Sequence, residues 1–284
     1  MIVLLVLFGG VSVWYFTKPT PAPSSFDSQR AFQDLAYQVN LGPRIPGSSA
    51  HAQTVNWIVN QLNKDGWDAK IVDSQINGLT AHNILASRGS GPIILLGAHY
   101  DTRRYADQDP DGNKRKDPVP GANDGASGVA VLLELARSLP SKMNSQVWLV
   151  FFDLEDQGGI DGRDFIEGSN AFAAQMTERP VKAVIIDMIG DANLDIYYEE
   201  SSSKPESQSI WKTAASLGFN QSFVPQYKYN MIDDHTPFLK LGIPSVDLID
   251  FDYPSWHTTS DNLTGVSEKS LKMVGETLWT WLQP

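Results

Sequence analysis

Four short apolar runs in this chain each carry, or run straight into, groups that bear charge. Residues 93–98 (IILLGA) lead into His99 and Asp101, and residues 146–153 (QVWLVFFD) finish on Asp153, with Glu155 and Asp156 just beyond. Residues 181–189 (VKAVIIDMI) contain Asp187, and residues 245–251 (SVDLIDF) precede Pro254-Ser255-Trp256-His257-Thr258. Runs this short and apolar, bounded by turn residues, read as strands covered on both faces. Such strands belong inside a sheet with helices packed on either side, which restricts the fold to the α/β class. They also restrict the chemistry. A charged group at the tip of a buried strand must be paired, solvated or bound to metal, because burying an isolated ion is costly.

The intervals between these runs supply the helices. Ser48 or Ser49 caps a helix running to about residue 64, with Val55, Ile58, Val59 and Leu62 on one face. Further helices are predicted over 126–139, 169–176, 207–217, 236–241 and 267–282, the last presenting Leu271, Val274, Leu278 and Leu282. Residues 67–76 and 82–87 read as consecutive strands, and 194–199 as one partner of a hairpin. Residues 103–120 are polar and rich in Asp, Lys, Arg and Pro, a loop long enough to imply a functional role or mobility. The alternation predicts one α/β domain with a mostly parallel sheet and no internal repeat. In such sheets ligands sit outside the carboxyl ends of the strands, where these acids fall.

With 42% hydrophobic residues, eight Trp and twelve Phe among 284 positions, the chain can bury a sizeable core. A net charge of −11 argues against nucleic acid as a partner, since phosphate binding needs a basic surface. The absence of cysteine removes disulfides and thiolate zinc sites together, so any metal must sit on His and carboxylates. Residues 2–16 are uncharged and are followed by a Pro-rich tract. The segment is shorter than the ~20 apolar residues of a full span. It reads as a membrane anchor, with a cleaved signal or an apolar N-terminal helix of a cytosolic protein as alternatives. The expected organisation is residues 1–17 as anchor or signal, 18–34 as a Pro/Ser-rich linker and 35–284 as the folded domain. That domain would be membrane-anchored or exported, and extracytoplasmic.

Six groups collect at strand ends or in adjoining loops: His99, Asp124, Glu155, Asp156, Asp187 and His257. Most have an ordinary reading singly. Asp124 can cap the helix that follows it, Glu155 and Asp156 can be a solvated loop, and His257 can be a packed histidine beside Trp256. Asp187 is harder to dismiss, because it lies within a buried strand. Together they indicate a metal hydrolase-type site, and nitrogen and carboxylate ligands without thiolate suit zinc.

The segments GAHYDTR, GANDGASGVAVLLELAR, FFDLEDQG, IDMIGD, DDHTPFLKLGIP and WHTTSDN occur in that order. In this the chain resembles the zinc aminopeptidase and glutaminyl cyclase superfamily over about residues 35–284. Asp-Asp-His-x-Pro-Phe-Leu and Trp-His-Thr are more similar to the glutaminyl-peptide cyclotransferases than to the dizinc aminopeptidases. The resemblance implies a three-layer α/β/α sandwich around a mixed, mostly parallel sheet. It implies zinc on Asp124, Asp156 and His257, Glu155 as general acid/base, Asp187 and Asp233 as catalytic acids of a hydrogen-bond network, and Trp256 as a substrate wall. In aminopeptidases the same framework takes a second metal on His99 and Asp187, with Asp124 bridging and Asp101 orienting His99 from behind. The chain departs from the family pattern in carrying Glu155-Asp156 where Glu-Glu is usual, so this ligand is one methylene shorter. The implied activity is conversion of an N-terminal glutamine of peptides or proteins to pyroglutamate with release of ammonia. A zinc aminopeptidase is the alternative, and a non-catalytic membrane-anchored binding domain a third. His51, His82, His235 and the Trp279/Trp281 pair read as structural, and the 103–116 loop reads as a gate or as solvated surface.

Overall fold

A computed structural model describes residues 24–283. Its centre is a six-stranded sheet in the order β1 (Asp68–Ile76), β2 (Leu79–Arg88), β4 (Gln146–Phe152), β3 (Ile93–His99), β5 (Lys182–Asp187), β8 (Ser245–Ile249). The hairpin β1–β2 runs antiparallel to its neighbour at one edge, and the remaining four strands are parallel. The sheet is therefore mixed and mostly parallel. Registers pair His99 with Phe152 and Asp187 with Ile249, so the parallel strands finish in one row. That row carries the charged groups.

Both faces of the parallel strands are covered, with the period-2 alternation that a strand imposes. Leu96, Ala98, Leu149, Phe151, Val184 and Ile186 join the cluster formed with α1 (Ser28–Leu41), α2 (Ser49–Lys64), α3 (Ala126–Ser138), α5 (Lys204–Ser216) and α7 (Glu268–Trp281). Leu95, Val150, Phe152 and Ile185 pack instead with Phe172 of α4 (Glu167–Gln175) and Phe238 of α6 (Thr236–Lys240). The central helix α3 lies hard against β5: a Cβ on Gly128 would sit 2.5 Å from the Ile186 carbonyl oxygen.

Two sequence expectations change. Residues 18–34 do not form a linker throughout, because Phe26 is buried and α1 begins at Ser28, capped by Asp27 accepting from the Arg30 nitrogen at 3.0 Å. Its buried stripe is Ala31, Leu35 and Gln38, and Arg30 clamps Glu134 of α3 through two 2.6 Å hydrogen bonds. The strand expected as a hairpin partner, β6 (Ile196–Glu199), instead pairs in parallel with β7 (Phe223–Tyr229) across the α5 crossover. The register there jumps from Val224 to Tyr227, skipping Pro225, which has no N–H to give a ladder. The expected anchor, residues 1–17, lies outside the described residues, and so do residues 18–23 of the linker. Among the described residues no helix is long and apolar enough to cross a membrane.

Candidate metal centre and active site

Each strand end delivers its side chain through a specific backbone device. Beyond β3, the buried Asp101 carboxylate accepts from the backbone nitrogens of Glu155 (3.0 Å) and Asp156 (3.4 Å) and from Gln157 Nε2 (3.2 Å). It thereby ties the end of β3 to the turn after β4. Leu154, Met188 and His257 all have positive φ, at 54°, 47° and 54°. Non-glycine residues pay for that conformation, on the order of 1–3 kcal/mol each, and tend to gather at functional sites. Here the three lie next to Glu155, Asp187 and Trp256, or are themselves part of the site.

Asp124 is held from two sides. Asp261 accepts from the backbone nitrogens of Asn123 (2.8 Å) and Asp124 (3.2 Å). Gly125 follows at φ 94°, where a Cβ would meet the Asp101 carbonyl oxygen at 2.9 Å and the His99 ring at 3.2 Å. The fully buried Arg44 fixes the loop leading in, donating to the carbonyls of Pro120 (2.6 Å), Gly121 (2.5 Å) and Tyr100 (3.3 Å).

These devices bring two triads together around Asp124. His99 Nε2 lies 3.0 Å from Asp124 Oδ1 and 3.1 Å from Asp187 Oδ1. His257 Nε2 lies 3.0 Å from Asp156 Oδ1 and 3.7 Å from Asp124 Oδ2. Within each triad all donor atoms fall within 4.8 Å of one another, and every member is buried. Ligand atoms about 2.0–2.2 Å from a tetrahedral zinc are spaced much like this. Asp156 Oδ2 is buried without a hydrogen-bond partner, as fits a carboxylate reserved for something other than a proton donor. The donor set, one imidazole and two carboxylates twice over with one carboxylate shared, fits zinc.

Electrostatics follow from packing so many acids around two histidines. Burial pushes the Glu155 carboxyl well above its ordinary value, and Asp156, Asp234 and Asp233 add to this against the pull of His99. Burial likewise brings Asp187 up to about 7 and raises Asp156. Burial would raise Asp124 too, but His99, His257 and Arg103 hold it below the usual carboxylate range. Burial opposes charge on His99, yet Asp187, Asp101 and Asp124 outweigh it and raise that imidazole well above its ordinary value. A metal bound here would displace those protons.

A cavity of about 350 Å³ opens over the triads. Its polar floor is Asp124, Glu155, Asp156, Asp187, Asp233 and His257, and Trp256, Phe251, Phe165 and Met188 supply apolar wall. Trp256 stacks on the His257 ring at 3.8 Å and meets Phe251 edge-on at 5.1 Å.

The match to a family model now has a site to attach to: the model for peptidase family M28 matches residues 83–282. The chain belongs to peptidase family M28. It is 32% identical to the glutaminyl cyclase of Porphyromonas gingivalis, with a TM-score of 0.87 over 92% of this chain and 99% of that one. It is 30% identical to a leucine aminopeptidase precursor from Bacteroides thetaiotaomicron, with a TM-score of 0.85 over 92% and 97% of the two chains. The glutaminyl-peptide cyclotransferase of Drosophila melanogaster is 26% identical over 261 residues, 78% of this chain and 71% of that protein. The expected sandwich is thus the M28 fold, and similarity of fold alone does not separate a cyclase from an aminopeptidase.

Within this M28 site some residues do more than the sequence indicated, and one does something else. Asp101 was expected to orient His99, but its Oδ1 is 3.7 Å from His99 Nδ1, too far for a hydrogen bond, and its bonds go to the 155–157 turn. Arg103, unassigned in the GAHYDTR segment, donates to the Asp156 carbonyl (3.2 Å) and Oδ1 (3.4 Å) and pairs with Asp107 at 2.7 Å. The 103–120 loop is fastened at several further points, including Asp109 Oδ2 accepting from the Thr259 nitrogen and hydroxyl at 2.9 and 2.6 Å. Asp261 is the other omission; it lies inside WHTTSDN, but nothing in spacing distinguishes it from a turn residue. His51 is buried and bonded to Asp153 at 2.8 Å, and His235 to the Ser201 hydroxyl at 2.8 Å, both structural as expected. Behind the floor, Asp234 and Asp247 are buried too, and burial pushes both carboxyls well up.

Proposed function

We propose that the chain is a zinc-dependent glutaminyl-peptide cyclotransferase, closing an N-terminal glutamine of a peptide or protein to pyroglutamate and releasing ammonia. The observation that carries this reading is the aromatic wall, with Trp256 stacked on His257 beside the Asp124–Asp156–His257 triad and Glu155 on the same cavity floor. Asp124, Asp156 and His257 would hold the zinc, which supplies Lewis-acid polarisation of the substrate's γ-carbonyl. Trp256 and Phe251 pack against the glutamine side chain and exclude water, which favours the internal amine as nucleophile over hydrolysis. Glu155 takes a proton from the α-amine as its nitrogen attacks the carbonyl carbon (Cδ) of the side-chain amide, and returns it to the amide nitrogen as the Cδ–N bond breaks and ammonia leaves. Its raised proton affinity, from burial and from neighbouring acids including Asp233, suits a group that must both accept and donate near neutral pH. Asp187 and Asp233 line the same floor, and the charge of Asp233 helps to sustain that affinity.

A second reading has its own observation. The His99–Asp124–Asp187 triad is buried and complete, and Asp124 turns one oxygen to each triad. With two metals held there, Glu155 would take a proton from an attacking water, and the chain would be an aminopeptidase. Metal content per chain, measured with ammonia release from Gln-peptides and amino-acid release from Leu- and Ala-peptides, separates the two. One zinc with ammonia supports the cyclotransferase; two metals with free amino acid would replace it by the aminopeptidase.

A further inference from the structure

A second group of acids lies outside the M28 floor. Asp195, immediately before β6, and Asp250 and Asp252, immediately after β8, each present a carboxylate oxygen within 4.8 Å of the others. Asp250 is fully buried; its Oδ2 accepts from the Asp195 nitrogen at 3.1 Å, while its Oδ1 is buried with no hydrogen-bond partner. A buried carboxylate oxygen left unpaired costs free energy that its surroundings must return. Among the described residues no Lys, Arg or His pairs with Asp195 or Asp250, and the one cation at the cluster, Lys228, engages Asp252 at the exposed rim. Exposure rises from Asp250 through the half-buried Asp195 to Asp252, so the cluster opens to solvent on one side. Three carboxylates and an open side for water are the ligands of a hard cation. Neither imidazole nor thiolate is present to favour zinc. Carboxylates drawn from two separate segments with mixed exposure favour calcium, which accepts variable oxygen geometry, over magnesium, which requires a near-ideal octahedron.

We propose that Asp195, Asp250 and Asp252 form a calcium site, separate from the Asp124 centre, that fixes the segment carrying Trp256 and His257. The connection runs through Phe251, which lies between two of the ligands and meets Trp256 edge-on at 5.1 Å, with Trp256 in turn stacked on His257. Calcium joining Asp195 to both sides of Phe251 would pin the aromatic wall to the start of β6. Burial, with Asp195 and Asp191 nearby, pushes the Asp250 carboxyl up to about 8, so the alternative occupant of the position is a proton.

The test uses the zinc-loaded protein at pH 7.5 and terbium as the probe, because the hydroxyls of Tyr197 and Tyr229 bond to Asp195 and Asp252 and place sensitising rings at the site. Wild-type protein should give sensitised terbium emission that saturates at one equivalent of terbium and that an excess of calcium, but not the same excess of magnesium, displaces. Asp250→Asn and Asp252→Asn should each weaken calcium binding at least tenfold with zinc content unchanged. Emission that calcium fails to displace in the wild type, or calcium binding that persists in either folded variant, would overturn the proposal. Asp252 is exposed, so its variant decides the matter even if Asp250→Asn does not fold. The readout is metal binding, so it stands or fails independently of which reaction the Asp124 centre catalyses.

Discussion

Asp261 accepts from the backbone nitrogen of Asp124 at 3.2 Å, so the residue shared by both triads is positioned by a carboxylate four places after His257. The same carboxylate takes the Asn123 nitrogen at 2.8 Å and the Tyr253 hydroxyl at 2.9 Å. Asp261→Ala leaves three buried donors without an acceptor and frees the turn that aims both Asp124 oxygens. Groups that orient a metal ligand typically contribute about ten- to a hundredfold in affinity. Competition against a zinc chelator should show a loss of that size in Asp261→Ala, with a smaller loss in Asp261→Asn, which keeps one acceptor oxygen. Equal affinity in wild type and Asp261→Ala would show that Asp124 needs no such support.

Glu155 lies on the cavity floor but outside both triads, so its removal should separate chemistry from metal binding. Glu155→Gln keeps the size and backbone hydrogen bond to Asp101 and loses the ability to carry a proton. Turnover should fall by about a hundred- to ten-thousandfold, the usual range for a general acid/base. Bound zinc should be unchanged by elemental analysis. His257→Ala should do the reverse and lose zinc from its triad. Unchanged turnover in Glu155→Gln would remove Glu155 from the mechanism under either reading.

The parallel strands were legible because each is a short apolar run ended by charge, and their shared row of ends follows from parallel pairing. The six first-choice site residues were legible for the same reason: burial makes an acid in a strand such as Asp187 conspicuous. Helix α1 was not legible, since its buried stripe includes Gln38 and its anchoring is by Arg30 to Glu134, a long-range pair with no local signature. Strand β7 was hidden by Pro225 and by a largely exposed surface. Asp261 and Arg103 were missed because they act on the backbone and side chain of ligands brought near only by the fold. The role of Asp101 behind His99 was implied by the family resemblance, whereas its hydrogen bonds run to the 155–157 backbone.

Glu199, at the end of β6, makes acid stability testable away from the metal centre. Burial pushes its carboxyl up, but His235 and the backbone nitrogens of Ser201 and Met231 more than offset this and hold it at about 2, against an ordinary 4.5. The hydroxyls of Ser201 and Ser202 also bond to it, at 2.9 and 2.8 Å. Because the folded-state value lies below the unfolded one, this group stabilises the fold fully above about pH 4.5, and the contribution fades as pH falls toward 2. Denaturation of wild type and Glu199→Gln at pH 7 and at pH 3 should show the variant less stable at pH 7 and the gap narrowed at pH 3. A gap that is constant with pH would mean that Glu199 acts through packing rather than charge.

Under the proposed function Trp256 acts on substrate rather than on stability. It is half-buried, with one face on His257 at 3.8 Å and an edge on Phe251, and it forms part of the cavity wall. Trp256→Ala removes apolar surface from the substrate side while Asp124, Asp156 and Glu155 keep their own backbone anchors. An aromatic contact of this kind contributes about 0.5–1.5 kcal/mol beyond area burial, so kcat/KM should fall about tenfold or somewhat more. The loss should appear mainly in KM, since the wall binds the ground state and the transition state alike. Trp256→Phe should recover part of it. A fall confined to kcat with KM unchanged would instead make Trp256 a residue that positions His257, and the cyclotransferase reading would lose the observation that carries it.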